Sequence, residues 1–541
     1  MNTDYPLDDK TQELIDRLNS EIESKENELD SKDARIKSLE QENAVLKGII
    51  KNNNKKIYGN SSEKIDSDQL SIFNEAEASG DLKTEEPAIE EITYTRKKSS
   101  KKTKDESFEG LETVVIEHKL DDTACPKCND DMHVIGKKST KKLKFVPAKL
   151  YIEEHVVYSY ACRECEKNDI AATIVSAKAP KSFIPKSMAT NELLSHILYL
   201  KYSHAMPLNR QESYFKMLGA NLSRQTLSNW VLKCAEAFDD IYRHMKIELL
   251  SRDYIHADET TVMVINEKGK ECKSKKYMWL YKTGTSNKPV IIYDYQSTRS
   301  STCAVNFLKG YCGYLQTDGY KGYGKVENVK WISCLAHIRR KFHNIIDGLD
   351  KEALKISRAY IGFEYCEQLY HIEKELKEHE LKKDYYDIRH NVRLEKSKQV
   401  LEDFISYVDI ELPNAMKRSA LEKALKYAKD ELPKLRYFLE DGRIEIDNNS
   451  SERSIKSFVI GRKNWLFMNS RSGAKASARI YSILETAKAN GLKIDKYLEY
   501  LMDKISNLDE NKKQYSTFKE MMPWSKHLPK DLYIQIPEQE S

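Results

Sequence analysis

Three acidic residues stand in short polar motifs far apart in the chain. They are Asp258 in His256-Ala-Asp-Glu-Thr260, Asp318 in Gln316-Thr-Asp-Gly-Tyr320, and Glu452 in Asp447-Asn-Asn-Ser-Ser-Glu-Arg453. Carboxylates brought together from separate segments suit two hard divalent cations, Mg2+ or Mn2+, which prefer oxygen donors to imidazole or thiolate. Two such ions, about 3.5–4 Å apart, clamp the attacking and leaving oxygens of an in-line displacement at phosphorus. The chemistry indicated is phosphodiester cleavage, with water or a 3′-hydroxyl as nucleophile. Each acid also has a plainer reading. Asp318 precedes Gly319 as a turn residue would, and Glu452 lies three positions after Asn449, the spacing of a reciprocal helix cap. Asp258 is followed by Glu259, which alternates to the other face of a strand.

Other side chains fit a nucleic-acid partner. Arg453, Lys456, Arg462 and Lys463 surround Glu452 and are candidates to hold the DNA backbone beside the metal ions. Trp465 offers a face for an unstacked base, although Trp465-Leu-Phe467 reads equally well as a core strand. In LSRQTLSNWV, Ser223 caps a helix that opens with Arg224, Gln225 and Asn229, whose donors and acceptors suit base edges and phosphates. An ordinary helical hairpin accounts for the same pattern. Cys125-Pro-Lys-Cys128 and Cys162-Arg-Glu-Cys165 are two C-x2-C knuckles separated by 33 residues. Together they complete a closed tetrahedral site for a structural Zn2+ with no catalytic role, though thiolate spacing alone does not exclude iron. Cys334-x-x-His337 lacks a second pair of ligands and is not read as a metal site.

The elements that must position these residues give a multidomain α+β chain. Residues 10–50 carry a heptad seam, with Ile15, Ile22, Leu29, Ile36, Asn43 and Ile50 at a positions and Leu18, Leu39 and Leu46 at d. Such a seam predicts a dimerising coiled coil, or a lone amphipathic helix packed on its own chain. Residues 51–106 form a polar linker in which Arg96, Lys97, Lys98, Lys101, Lys102 and Lys104 crowd into nine positions. That run either tracks phosphates or is a solvated linker. The zinc-binding module spans 107–172 and the helix-turn-helix region 185–250. Strand-like runs YIHADETTVMVI, KKYMWLYKTG, PVIIYDYQ, GYLQTDG and VKWISC alternate with helices over 251–349 and resemble a ribonuclease-H-like α/β core. In that fold the first and fourth strands adjoin, so Asp258 and Asp318 face each other and an acid on a packing helix closes the site. An all-helical insertion is expected at 350–441, the second part of the core at 442–490 with its helix broken near Gly461, and a C-terminal helical tail at 491–541.

Composition bounds the setting. The 541 residues are 32% charged with a net charge of +4, and the mean hydropathy is −0.68. No apolar stretch approaches the ~20 residues of a membrane span, and MNTDYPLDDK lacks the basic start and apolar core of a signal peptide. A cytoplasmic protein is expected, nucleoid-associated when bound to DNA, with its ten cysteines reduced.

Long motifs in a fixed order resemble the insertion-sequence-66 family of transposases. They include KIYGNSSEK after the coiled coil, the double-knuckle module, LKYSHAMPLNRQESYFKMLGANLSRQTLSNWV, HADET, QTDGYKGY, CLAHIRRKF, DNNSSERSIKSFVIGRKNWLF and a final MPW ending in Trp524. Lys456-Ser457 departs from the family's usual basic residue followed by Pro. The resemblance implies a DDE-type recombinase with Asp258, Asp318 and Glu452 as its acids, Asp447 lying five residues from the third. It implies water-driven cleavage at the element ends, then attack of the freed 3′-hydroxyl on target DNA without a covalent protein intermediate. It also implies a homodimer or larger assembly and small accessory proteins from the same element. Two other readings share the residues: a ribonuclease-H-like nuclease without strand transfer, and a catalytically silent DNA-binding descendant of a transposase.

Overall fold

The computed structural model describes residues 17–30 and scattered helical positions up to 47, then 148–161, 174–266, 275–347, 349, 351–508 and 515–534. The linker expected at 51–106 and the four knuckle cysteines lie outside the described residues. Residues 17–30 are helical, and the seam positions Leu18, Ile22, Leu29 and Ile36 are exposed. The described chain divides into two units. In the smaller one, β1 (Ser159–Ala161) and β2 (Ile174–Ser176) form an antiparallel hairpin in the register Tyr160↔Val175.

Four helices lead into the larger unit: α1 (Asn191–Tyr202), α2 (Leu208–Met217), α3 (Arg224–Ala237) and α4 (Asp239–Leu250). α2 crosses the boundary between the units. Thr190 and Ser223 cap α1 and α3 with their hydroxyls, as the polar residue before each apolar pattern predicts. The sheet strands follow as β3 (Tyr254–Val262), β5 (Lys276–Thr283), β6 (Ile291–Gln296), β7 (Gly313–Gln316) and β8 (Val329–Ile332), with a short β4 (Val264–Asn266) extending β3. α5 (Ser301–Phe307) separates β6 from β7, and α6 (Leu335–Ile346) follows β8. Their order across the sheet is β6-β5-β3-β7-β8. β5 pairs antiparallel with both β3 and β6, whereas β7 pairs parallel with β3 and β8 parallel with β7.

β3 is the central strand, and its first five residues are all buried. That explains a run, YIHAD, that reads apolar without strict alternation. β6 is an edge whose open backbone groups are met by one helix face. In α13 (Arg471–Ala489) the Ser482 hydroxyl accepts from the Tyr293 amide at 2.8 Å. The Thr486 hydroxyl accepts from Ile291 N–H at 2.9 Å and donates to its carbonyl at 3.0 Å. Side chains spaced one turn apart thus stand in for a sixth strand and close the edge to pairing.

Between α6 and the return to the sheet the chain is helical: α7 (Lys351–Ile356), α8 (Arg358–Leu376), α9 (Tyr385–Val392), α10 (Lys398–Asn414) and α11 (Ala420–Leu435). The apolar faces of α8, α10 and α11 share one core with α6, built around Phe342, Leu369, Leu401, Phe404, Leu425 and Leu432, with Leu354 of α7 packed against it. The chain then passes into α12 (Asn449–Trp465), β9 (Met468–Ser470), which pairs parallel with β4, and α13. α14 (Ile494–Asn507) and α15 (Tyr515–Met521) follow, and a 3-10 turn at Lys530–Leu532 lies near the end of the described chain. The break expected near Gly461 is absent: α12 continues to Trp465. Gly461 is instead a close-approach position, where a Cβ would collide with the Tyr481 hydroxyl of α13. Among the described residues, no helix is long and apolar enough to cross a membrane, and Cys234, Cys303, Cys312, Cys334 and Cys366 are free thiols.

Candidate active site

β3 and β7 pair in parallel as Tyr254↔Tyr314, Ile255↔Leu315 and His256↔Gln316. Asp258 and Asp318 each lie two residues beyond that last pair, so the register alone brings them to the same level of the sheet. α12 packs over β3 and presents Glu452 from its first turn.

Asp258 is 9% exposed, and one of its oxygens accepts the Glu259 amide at 2.7 Å. Burial, followed by repulsion from Asp318 and Glu259 and more weakly from Glu452, pushes its carboxyl well above the usual range. Glu452 is raised too, first by burial and then by Asp447 and Asp318, with Arg340 and Lys456 opposing. Asp318 keeps its turn role: one oxygen accepts the Tyr320 amide at 3.1 Å, across a Gly319 whose φ is +88°. Its other oxygen is 4.0 Å from Arg299.

The capping reading of Glu452 does not match the helix terminus. The cap residue is Asn448, and its side chain makes no cap bond. Asn448 instead reaches into the sheet: its Oδ1 accepts from His256 Nδ1 at 2.7 Å and its Nδ2 donates to the Ala257 carbonyl at 3.1 Å. Its backbone N–H donates to Cys334 Sγ at 3.2 Å. His256 is fully buried and its pKa is lowered by burial to about 3, so it is a neutral ring donating from Nδ1. One side chain thereby locks the start of the Glu452 helix to the strand bearing Asp258. Asp447, the other acid of the motif, is occupied, accepting from Tyr370 Oη at 3.1 Å and from Asn449 N and Nδ2 at 3.1 and 2.7 Å. Those bonds leave Glu452 the freer carboxylate. Asn448→Ala is expected to lower stability by roughly 1–3 kcal/mol for each buried group it orphans. A denaturant midpoint unchanged from wild type would show that the latch contributes nothing.

Arg299, Arg340 and Asn448 of the site escaped sequence reasoning, and His337 entered it only within Cys334-x-x-His337. Arg299, on the loop after β6, donates to Glu259 at 2.7 Å and packs 4.1 Å from the centre of the Tyr320 ring. The Glu259 side chain is 1% exposed and also accepts from Tyr323 Oη at 2.7 Å. Arg340, exposed on α6, acts electrostatically on Glu452. Asn448 is the latch. His337 lies 4.0 Å from Glu452 through Nδ1, and Cys334, His337 and Glu452 offer ligand atoms within 4.8 Å of one another. Cys334-x-x-His337, which lacks a second pair of ligands in sequence, is met in space by one carboxylate, Glu452 of α12, more than a hundred residues on.

The remaining candidates divide. Arg453 is exposed and Lys456 half-buried on α12 beside Glu452, and Lys463 is exposed further along the helix. Arg462 is drawn into the fold, its guanidinium donating to Thr260 Oγ1 at 3.0 Å and to the Thr261 carbonyl. Trp465 is half-buried at the last position of α12 and packs against Phe458 at 5.6 Å between centroids, while Leu466 and Phe467 are exposed, so the core-strand reading of Trp465-Leu-Phe467 is not met. Arg224, Gln225 and Asn229 are exposed at the start of α3, with Gln225 Nε2 donating to Asn229 Oδ1 at 3.3 Å. Cys125, Cys128, Cys162 and Cys165 lie outside the described residues.

Comparison with known proteins gives this geometry a context. Residues 186–476 match the transposase IS66 family, and residues 122–166 match the zinc-finger binding domain of transposase IS66. The uncharacterized protein y4jD of Sinorhizobium fredii is 30% identical over 420 residues, covering 74% of this chain and 78% of that protein. A second uncharacterized protein of that organism, y4qI, is 28% identical over 410 residues, covering 72% of each. No solved structure matches. The chain belongs to the IS66 family of transposases, with that family's zinc-finger domain preceding its transposase domain.

Proposed function

We propose that this chain binds the ends of an insertion sequence, cleaves phosphodiester bonds there and joins the freed 3′-hydroxyls to target DNA. Two divalent ions held by Asp258, Asp318 and Glu452 serve both steps. The observation that carries the reading is the parallel pairing of β3 with β7, which levels Asp258 with Asp318 beneath the helix of Glu452. The strand order, three antiparallel strands and then two parallel to the first, supports the ribonuclease-H-like assignment. The donor set fits hard cations: carboxylates whose burial and mutual repulsion raise Asp258 and Glu452 are relieved by positive charge.

When bound, the ions supply Lewis acidity at phosphorus and an activated oxygen nucleophile. The chain's own side chains do the rest. Arg340, Arg453 and Lys456 border Glu452 and take the phosphates flanking the scissile bond. Arg299 holds Glu259 back from the acids and adds positive charge beside Asp318. In the first step water attacks phosphorus and the bond to the 3′-oxygen breaks, leaving a 3′-hydroxyl. In the second that hydroxyl attacks a target phosphodiester and displaces a new 3′-oxygen, so bonds are conserved and no protein group is esterified. Arg224, Gln225 and Asn229 read the ends from α3, and the exposed seam of the N-terminal helix holds two chains together. Accessory proteins of the element join this assembly.

The test is incubation of the full chain with Mg2+ or Mn2+ and DNA carrying the element's ends. Nicked ends and joined products, both lost in Asp258→Ala, are expected. End binding with no metal-dependent cleavage would favour the silent DNA-binding reading, and cleavage without joining the nuclease. In the zinc module, Cys125, Cys128, Cys162 and Cys165 are the assigned ligands. Elemental analysis is expected to find about one zinc per chain, lost in Cys162→Ser. Zinc content unchanged by that substitution would overturn the ligand set.

A further inference from the structure

We propose that His337 is a nitrogen ligand to the divalent ion that Glu452 holds, so that the site is not made of oxygens alone; this rests on the three-carboxylate reading above. His337 sits in the first turn of α6 and Glu452 in the first turn of α12. The two helix starts are fixed to each other by the Asn448 amide on Cys334 Sγ at 3.2 Å and the Leu335 amide on the Ile446 carbonyl at 3.2 Å. Two contacts between the helix starts, one of them backbone to backbone, therefore fix the relative position of imidazole and carboxylate.

The separation suits a shared ion. Metal–nitrogen and metal–oxygen bonds of about 2.1 Å place two donors about 3 Å apart when adjacent and about 4 Å apart when opposite. His337 Nδ1 and Glu452 Oε1 are 4.0 Å apart, inside that range and too far for a hydrogen bond. Nδ1 is also buried with no hydrogen-bond partner. A buried ring nitrogen left without a partner calls for an explanation, and an ion seated between it and Glu452 supplies one. Cys334 completes the cluster geometrically but already accepts the Asn448 amide, so its sulfur forms the floor of the site.

A nitrogen donor changes metal choice. Mg2+ takes oxygen ligands almost exclusively, whereas Mn2+ accepts imidazole more readily. Mn2+ is therefore expected to bind more tightly than Mg2+ here, with His337 the cause of the difference.

The experiment uses the full-length, zinc-loaded protein titrated with Mn2+ and read by pulsed electron paramagnetic resonance, which detects a directly bound 14N. Wild type is expected to show nitrogen modulation. His337→Gln should lose it and bind Mn2+ at least roughly tenfold more weakly, with Mg2+ affinity changed less. His337→Asn, with its melting temperature checked alongside, guards against a folding defect in the first variant. Mn2+ bound in an Asp258-dependent way without nitrogen modulation, or with modulation that survives both substitutions, overturns the inference and leaves the three-acid reading standing. Mn2+ binding indifferent to both Asp258 and His337 overturns the two together.

Discussion

Replacing Asp258 by Asn is expected to abolish metal-dependent cleavage of element ends while raising the unfolding midpoint of the metal-free protein. The two effects share one cause. Asp258 is buried, and burial together with Asp318, Glu259 and Glu452 drives its carboxyl well above the ordinary value. An acid whose folded pKa is raised loses stability as pH climbs from its unfolded value, near 3.9, through the folded one. Above that window the full penalty persists, so it is present at neutral pH. Asn carries no charge, still accepts the Glu259 amide, and removes the penalty. The expected result is a higher melting temperature for the variant at pH 7, its sign set by the raised carboxyl of Asp258.

Cleavage moves the other way. In the proposed site the variant would lack a charged metal ligand, and a loss of several kcal/mol of transition-state stabilisation corresponds to at least about a thousandfold in rate. DNA binding should be unchanged. Thermal melts in chelator, run from pH 4 to 8 beside cleavage assays, separate the possibilities. The stability gain should shrink towards the acid end, where wild-type Asp258 is protonated. A variant that melts lower than wild type at pH 7 would make Asp258 a structural residue, and retained cleavage would remove it from the metal site.

Much of this arrangement is legible in local sequence, because strands, caps and turns are local events. YIHADETTVMVI, KKYMWLYKTG and PVIIYDYQ form the strands their β-branched and aromatic content predicts, and Ser223 caps α3. The acids were findable because a strand end followed by Gly319 and a helix start have recognisable chemistry. What lay hidden depends on contacts between distant segments. Nothing near Asn448 announces that it bonds His256, 192 positions away. His337 looked like half of an incomplete pair because its neighbour Glu452 arrives only after the helical block. Gly461 was misread as a break since its reason for being glycine, the Tyr481 hydroxyl, sits on another helix.

The helical block between α6 and α12 bears on the site through a buried ion pair, and breaking that pair should have the largest effect on stability. Arg393 is fully buried and Glu373 is 6% exposed. Arg393 donates to both Glu373 oxygens, at 2.7 and 2.9 Å, and to the carbonyls of Phe438 and Ile444 at 2.9 and 2.8 Å. Arg389 reaches the same carboxylate at 2.7 Å and the Gly442 carbonyl at 3.3 Å. The carbonyls so held belong to the segment that leads directly into Asn448 and Glu452. Glu373→Gln keeps the shape but leaves two buried guanidiniums without a counter-charge, and loss of one partner in such a cluster costs about 3–5 kcal/mol. Burial alone would raise the Glu373 carboxyl, but the two guanidiniums more than reverse it and hold it below the ordinary value. A depressed acid contributes stability above its unfolded pKa, near 4.3, and that contribution is lost as pH falls through the folded one. Urea denaturation at pH 7 should therefore show the deficit of Glu373→Gln in full, and the gap to wild type should narrow below about pH 4. Should the substitution leave the midpoint unchanged at pH 7, the pair does not anchor the segment, and Asn448 and the sheet hold the Glu452 helix by themselves.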